Sequence, residues 1–313
     1  MLTYIVKRLI GAIPTFLGVL TLVFILMRMV PGDPALLILG DRATPESVEA
    51  LRRDMGLDVP IWQQYVTFLG QVVQGDLGRS IRTNQPVFTE VMRVFPHTAS
   101  LALAAIGLAG IIGIAAGTIS ALRRNSVLDY VVSTLSMVGI AMPVFTLGII
   151  LLLVFSYQLR WFPAISSTGS ADLGSLLWQL VLPAVALGLS SGAVIARMTR
   201  SSILEILNQD YIRTARAKGL SDRRVTMKHV LKNAMIPVVT IIGINFGRLM
   251  SGTVITETLF VRPGLGRLMI DSIYTRDYPQ VEATIAFFAI IFIVINLAVD
   301  VIYAMLDPRI QYA

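Results

Sequence analysis

The feature that most constrains this chain is the presence of long apolar stretches without a single charged residue. Residues 98–122 and 130–158 contain no Asp, Glu, Lys or Arg. A helix needs about 20 apolar residues to cross the hydrocarbon core of a bilayer. Only 14% of all residues are charged, whereas about a quarter are charged in ordinary soluble domains. The sequence therefore predicts an all-α protein that crosses a membrane several times.

Six segments are long and apolar enough to be transmembrane helices. The first follows Lys7 and Arg8, as the apolar part of a signal peptide would, but it is too long for that role. It also lacks a small-x-small cleavage pattern around Met27-Arg28-Met29, so we expect it to remain as a membrane helix. The six predicted spans are residues 9–30, 98–122, 128–156, 174–196, 234–258 and 282–306.

The distribution of basic residues predicts how the chain is oriented. With the amino terminus in the cytoplasm, 14 of the 26 Lys and Arg residues fall on the inner side, and the short outer loops hold four. Inner loops of membrane proteins are enriched in basic residues, so both termini are predicted to be cytoplasmic. The net charge of +7 is explained by this sorting and does not indicate a nucleic-acid partner.

These boundaries divide the chain into four predicted parts. An amino-terminal membrane helix covers residues 1–30, and an extracytoplasmic segment outside the lipid covers 31–97. Within that segment Thr44 is a candidate N-cap, with Pro45 at the first helical position. A membrane core follows over 98–306, including a cytoplasmic loop at 199–236, and a cytoplasmic tail occupies 307–313.

The cytoplasmic loop is predicted to contain two helices separated at Gly219. The first, over about 200–217, ends near several cations, which suit a helix carboxyl terminus, and Gly219 is a natural left-handed cap. Ser221 and Asp222 can cap the second helix. The second helix carries an apolar stripe at helical spacing, with a basic face beside it: Met227, Val230, Leu231, Ala234 and Met235. Periodicity alone favours equally a groove on another protein and an anionic lipid surface.

Motifs along the whole chain add a family resemblance. The loop sequence Tyr211-Ile-Arg-Thr-Ala-Arg-Ala-Lys-Gly219 resembles the Glu-Ala-Ala-x-x-x-Gly loop of ATP-binding-cassette (ABC) importer permeases, with Arg213 in place of the glutamate. Lys232 stands where the general pattern expects a proline. Both departures resemble the dipeptide/oligopeptide branch of the family. Five further motifs resemble the same branch: Val30-Pro-Gly-Asp-Pro34, Gly75-Asp-Leu-Gly-Arg-Ser80, Pro263-Gly-Leu-Gly-Arg267, Arg276-Asp-Tyr-Pro279 and Asp307-Pro-Arg309.

The resemblance implies a fold and a set of partners. The fold would be a type I importer permease core, built from spans two to six and preceded by one extra helix. A second homologous permease, two ABC ATPase domains and an extracytoplasmic substrate-binding protein would complete a transporter in a bacterial inner membrane. The expected cargo is a dipeptide or oligopeptide, with glutathione, a nickel chelate or a sugar as alternatives. The residues expected to dock onto the ATPase are Arg213, Ala215, Gly219, Met227, Val230 and Leu231.

Other functional classes lack the residues that they need. No Gly-x-x-x-x-Gly-Lys-[Ser/Thr] loop occurs, so ATP is expected to bind to partner subunits and this chain to be no enzyme. Two histidines and no cysteines make a metal site or other cofactor unexpected. Ser190 lies in a Gly-x-Ser-x-Gly pattern but within an apolar span, where a hydrolase elbow cannot form. A secondary transporter is a distant alternative, because intramembrane acids are few and no inverted repeat is visible.

Two charged residues in or near the fifth span are candidates for the translocation pathway. Arg248 lies near the predicted middle of that span, where a guanidinium facing lipid costs about 2.5–3.5 kcal/mol or more. It is therefore expected either to line the pathway or to pair with an acid such as Asp300. Glu257, near the outer end of the same span, is a candidate either for contact with a ligand amine or for holding the outer loop.

Overall fold

The computed structural model describes residues 2–30, 32–40, 43–164 and 172–306, and these ranges are almost entirely helical. Two of the helices continue directly into π-helical turns, over Leu152–Gln158 and Val225–Leu231. In chain order the helices are α1 (Leu2–Met29), α2 (Pro34–Leu39), α3 (Pro45–Asp54), α4 (Ile61–Gln74), α5 (Val87–Leu122), α6 (Val127–Ala141), α7 (Val144–Leu151), α8 (Leu173–Leu207), α9 (Asp210–Ala217), α10 (Asp222–Arg224), α11 (Lys232–Gly252), α12 (Val254–Leu259), α13 (Leu265–Tyr274) and α14 (Tyr278–Leu306).

Five of the described helical segments are long and apolar enough to cross a membrane, and six if a bent helix pair counts as one span. The prediction of a polytopic helical membrane protein with up to six spans is therefore confirmed. Several helices extend beyond the predicted spans, because the apolar window marks only the part of a helix that lies in lipid. The five segments are Ile5–Met29, Val87–Leu122, Gly174–Leu207, Asp222–Met250 and Tyr278–Val301.

The third predicted span, 128–156, differs most from expectation. It is a pair of helices, α6 and α7, that meet at an angle of 104°. Met142 between them is extended, with φ −77° and ψ 124°, because the ring of Pro143 disfavours a helical conformation for the residue before it. The expectation of one continuous helix here is wrong.

Two further helix boundaries in the membrane core are corrected. The predicted helix 200–217 is interrupted, since α8 ends at Leu207 and α9 begins at Asp210. The predicted fifth span, 234–258, ends at Gly252, and Val254 begins a separate short helix. The tail over 307–313 lies outside the described residues.

The contacts divide the chain into two compact units. Unit 1 comprises residues 1–97 and 263–293, and unit 2 comprises residues 98–262 and 294–313. In unit 1, Arg28 at the end of α1 forms a 2.6 Å ion pair with Glu282 of α14. The Asp277 carboxylate accepts hydrogen bonds from the Ser80 hydroxyl and the Ile81 backbone N–H. The predicted cap at Thr44 is also confirmed, because its hydroxyl accepts from the Ser47 N–H.

Close helix packing in unit 2 depends on glycines of α5 and α8. A Cβ on Gly113 would lie 2.7 Å from the Ile195 side chain, and one on Gly117 would lie 2.6 Å from Thr199 Cβ. A Cβ on Gly188 would lie 3.1 Å from the Ala105 carbonyl oxygen. Small residues of this kind let membrane helices approach closely where no hydrophobic effect drives their association. These three glycines therefore allow α5 and α8 to pack closely.

Candidate functional site

The loop over 199–236 folds onto a buried apolar cluster at the ends of the unit 2 helices. Ile212 of α9 and Val225 and Val230 of the second loop helix are fully buried there. They pack with Ala121 at the end of α5 and Ile203 in α8. The loop therefore has a core of its own that joins it to membrane helices.

A left-handed glycine separates the two loop helices, as predicted. Gly219 has φ +80°, a conformation that side-chain-bearing residues rarely adopt. Its backbone N–H donates to the Arg216 carbonyl at 2.9 Å, and the Leu220 N–H donates to that of Ala215. These bonds end α9 in the way expected of a left-handed cap. Ser221 occupies the N-cap position of α10 but makes no side-chain capping hydrogen bond.

The second loop helix winds as a π-helix, which changes the faces that its residues present. Val225 and Val230, five residues apart, both face the cluster, and Ala234 at the start of α11 also packs there. Met227, predicted to share the stripe with Val230, is instead 61% exposed. Four residues of the predicted stripe therefore pack on the chain's own core: Val230, Leu231, Ala234 and Met235. Met227 is the stripe residue that stays exposed, so contact of the loop with a partner groove or with lipid remains a prediction. A single-residue π-register shift is not visible in a pattern of period 3.6.

The predicted docking residues consequently separate into two groups. Ala215 and Val230 are buried and Leu231 is partly buried against the cluster, so these residues hold the loop in place. Arg213, Gly219 and Met227 are exposed. The exposed residues define what we call the candidate docking surface. It comprises Gly219, Met227 and the exposed Lys and Arg residues of 210–232, including Arg213.

The electrostatic character of this surface is strongly basic. Residues 210–232 contain seven Lys and Arg residues against two Asp residues, a net charge of +5. Both aspartates form ion pairs, Asp210 with Arg213 at 3.5 Å and Asp222 with Arg216 at 3.3 Å. Both pairs are exposed to solvent and so contribute little stability. The candidate docking surface therefore combines an exposed apolar side chain, Met227, with a net positive charge.

A buried carboxylate, for which the sequence gives no local signal, stabilises the same end of unit 2. Asp129 of α6 accepts two hydrogen bonds from the Arg200 guanidinium of α8, at 2.7 and 2.9 Å. It also accepts from the Ser120 hydroxyl and from the Asn125 backbone N–H in the α5–α6 turn. Bidentate Arg–carboxylate pairs fix geometry as well as adding energy. Asp129 and Arg200 are 71 residues apart, so no local pattern signals their pairing.

The two candidate pathway residues lie in different environments. Arg248 is exposed on α11. Glu257 is fully buried, and its Oε1 accepts hydrogen bonds from the hydroxyls of Thr98 and Thr253, at 2.6 and 2.9 Å. Burial lowers the pKa of nearby Arg262, and the negative charge of Glu257 opposes that shift. Glu257 therefore links α12 to Thr98 of α5 and is not accessible to solvent.

The fold is shared with chains of ABC transporters of known structure. The described fold matches an inward-facing conformation of the MetNI methionine ABC transporter with a TM-score of 0.58 and 20% identity, over 71% of this chain and 98% of that one. A crystal structure of an amino acid ABC transporter matches with a TM-score of 0.56 and 15% identity, over 70% of this chain and 94% of that one. At this identity the match establishes the fold alone.

Sequence comparison then establishes the family. The family described as binding-protein-dependent transport system inner membrane component matches residues 113–312, and its amino-terminal companion matches residues 1–102. The chain belongs to this family. It is 45% identical to the glutathione transport system permease protein GsiC of Escherichia coli over the full length of both chains. It is 44% identical to the di/tripeptide transport system permease protein DppB of Pseudomonas aeruginosa, over 100% of this chain and 99% of that protein.

Membership defines the role of the chain. It is a multi-span membrane permease subunit of a bacterial ABC importer. Such a subunit works with partner ATPases and a substrate-binding protein. The resemblance stated from the motifs and the expected type I permease fold are both confirmed.

Proposed function

We propose that this chain forms half of the translocation pathway of an importer for small peptides. In this proposal a second, homologous permease supplies the other half, and ATP binds and is hydrolysed only on the partner ATPases. The amino and carboxyl termini lie in the cytoplasm, on the same side as the 199–236 loop. The observation that carries the proposal is the exposed surface of that loop, whose helices pack on a buried apolar cluster.

The candidate docking surface has the properties of an element that enters a cleft on another protein. Met227 is a large, flexible apolar side chain that is 61% exposed. The side chain of Arg213, on α9, is 74% exposed. A Cβ built on Gly219 would contact nothing within 4 Å, so the space above this turn is open. An apolar anchor within a charged rim is the usual anatomy of a specific protein contact.

The buried cluster gives this surface a mechanical connection to the membrane. Ile212 and Val230 of the loop pack with Ala121 of α5, Ile203 of α8 and Ala234 of α11. A close-packed interior transmits displacement instead of absorbing it. Movement of the loop by the ATPases would therefore shift three membrane helices together, which is what alternating access requires. Each nucleotide state of the ATPases must then favour one of the two conformations.

The proposed cargo follows from the relatives. Proteins named for glutathione and for di- and tripeptides are 45% and 44% identical to this chain over its full length. Both cargoes are short peptides that carry free carboxylate and amine groups. Small peptides are therefore the class that fits both relatives, and a nickel chelate or a sugar fits neither.

The proposal is tested by uptake into proteoliposomes that contain the complete transporter and its binding protein. We expect ATP-dependent uptake of a labelled dipeptide or of glutathione, competed by other small peptides and unaffected by a proton ionophore. Uptake that the ionophore abolishes and that proceeds without ATP would overturn the importer mechanism. ATP-dependent uptake of a sugar or a nickel chelate that peptides do not compete would overturn the peptide assignment.

A further inference from the structure

Helix α4 of unit 1 has an exposed apolar stripe and no charged residue along its 14 positions. Trp62, Val66 and Val73 are 68%, 62% and 86% exposed, and Leu69 lies half-buried between them. Their spacing of four, three and four residues places them on one face of the helix. An apolar stripe of this size is unusual on a surface that faces water.

The other two sides of α4 differ from the stripe: one packs on α1, and the other is polar and lines a cavity. Tyr65 and Phe68 pack on the Phe24 ring of α1, with ring centroids 5.1 and 5.7 Å from it. Gln64 accepts a hydrogen bond of 2.9 Å from Arg28. On the polar side, Gln63, Thr67 and Gln71 line a cavity of about 600 Å³ within unit 1. The apolar stripe is thus the face of α4 that lies next to its contact with α1.

The contacts with α1 fix the depth of α4 along a membrane-spanning helix. The Thr21 hydroxyl of α1 is 2.6 Å from the Tyr65 hydroxyl, and the crossing centres on Phe24. The apolar span of α1 is Ile5–Met29. A hydrocarbon core about 30 Å thick corresponds to about 20 helical residues, at a rise of about 1.5 Å per residue. If the core is centred on this span, its boundary lies near Met27, and Phe24 is about 4.5 Å inside that boundary. Amphipathic helices at a membrane interface are buried by about 5–10 Å.

We propose that α4 lies in the membrane interface, with its Trp62–Val73 stripe in contact with the acyl chains of the leaflet at the carboxyl end of α1. Continuity with α1 supports lipid as the occupant, because Leu22, Ile25 and Leu26 of that span are also exposed. The absence of charge along α4 removes the main cost of entering lipid, and Trp is favoured at the headgroup level. This revises the expectation that all of 31–97 lies outside the lipid.

The proposal is tested by spin labels on single cysteines, because the native chain contains no cysteine. Val66→Cys and Val73→Cys place labels on the stripe, and Gln63→Cys and Thr67→Cys place matched labels on the exposed polar side. The complete transporter, with its ATPases, is reconstituted in nanodiscs. Collision rates of each label with oxygen, which concentrates in lipid, and with nickel-EDDA, which stays in water, are then measured.

We expect the two stripe labels to favour oxygen and the two polar-side labels to favour nickel-EDDA. Equal preference for nickel-EDDA at all four positions would overturn the proposal, since the stripe would then face water. Stripe labels that are immobile and inaccessible to both reagents would also overturn it, since another protein surface would then cover α4. Retained ATPase activity of each labelled transporter shows that the assembly is intact.

Discussion

The ion pair between Asp129 and Arg200 provides the most quantitative prediction. The Asp129 carboxylate is almost fully buried, and it accepts both guanidinium hydrogen bonds at 2.9 Å or less. Removal of one partner from a buried pair costs about 3–5 kcal/mol. The Arg200 side chain is 31% exposed, however, and water there can replace part of the interaction. We therefore expect a coupling energy of about 1.5–3 kcal/mol, the range for hydrogen bonds to charged groups.

A double-mutant cycle isolates this coupling energy from the other partners of the carboxylate. The unfolding of three variants in mixed micelles is followed by tryptophan fluorescence, and the free energy of unfolding is obtained from each transition. The variants are Asp129→Asn, Arg200→Gln and the double substitution. Ser133→Ala is the matched control, because its hydroxyl lies 3.4 Å from the same carboxylate, and it is expected to cost about 0.5 kcal/mol or less. Additive single substitutions, with a coupling energy near zero, would refute the view that this pair clamps α6 to α8.

Three further predictions concern packing, the loop and the pathway. Gly117→Ala should lower the melting temperature, because the added Cβ would lie 2.6 Å from Thr199 Cβ. Gly107→Ala on the same helix is the control and should be neutral, because its Cβ would meet nothing within 4 Å. Equal melting temperatures of the two variants would contradict this packing. Gly219→Trp should uncouple ATP hydrolysis from uptake while membrane insertion is unchanged. Gly219→Asn should keep the two processes coupled, since Asn tolerates a left-handed conformation. Normal uptake by the Trp variant would argue against docking at this turn. Arg248→Ala should reduce uptake of carboxylate-bearing ligands more than that of their amidated forms, and an equal reduction for both would leave Arg248 a purely structural role.

Elements governed by local chemistry could be predicted from the sequence. The Thr44–Pro45 helix start and the left-handed turn at Gly219 each depend on one or two residues and their immediate neighbours. Most membrane spans could be predicted for the same reason, since a run of apolar residues is itself the signal. The order of motifs along the chain is sufficient to predict the family, which the family match confirms.

Elements governed by distant contacts or by a change of helical register could not be predicted. The π-helical winding over Val225–Leu231 turns Val225 and Val230 towards the core and leaves Met227 exposed. The clamp at Asp129 depends on a residue 71 positions away. The break at Pro143 has a local cause, but proline also occurs within intact membrane helices such as α8, so its presence alone did not decide the outcome.

Attachment of a photo-crosslinker at Met227 tests the proposed docking of the loop most directly. A benzophenone is attached to Met227→Cys in the otherwise cysteine-free chain, and Tyr274→Cys, which is 83% exposed and predicted to lie on the opposite side of the membrane, is the matched control. We expect irradiation of the complete transporter to join Met227→Cys to an ATPase subunit, and Tyr274→Cys to give no such product. Absence of an ATPase adduct at Met227, or an equal yield at both positions, would contradict the docking of this loop onto the ATPase.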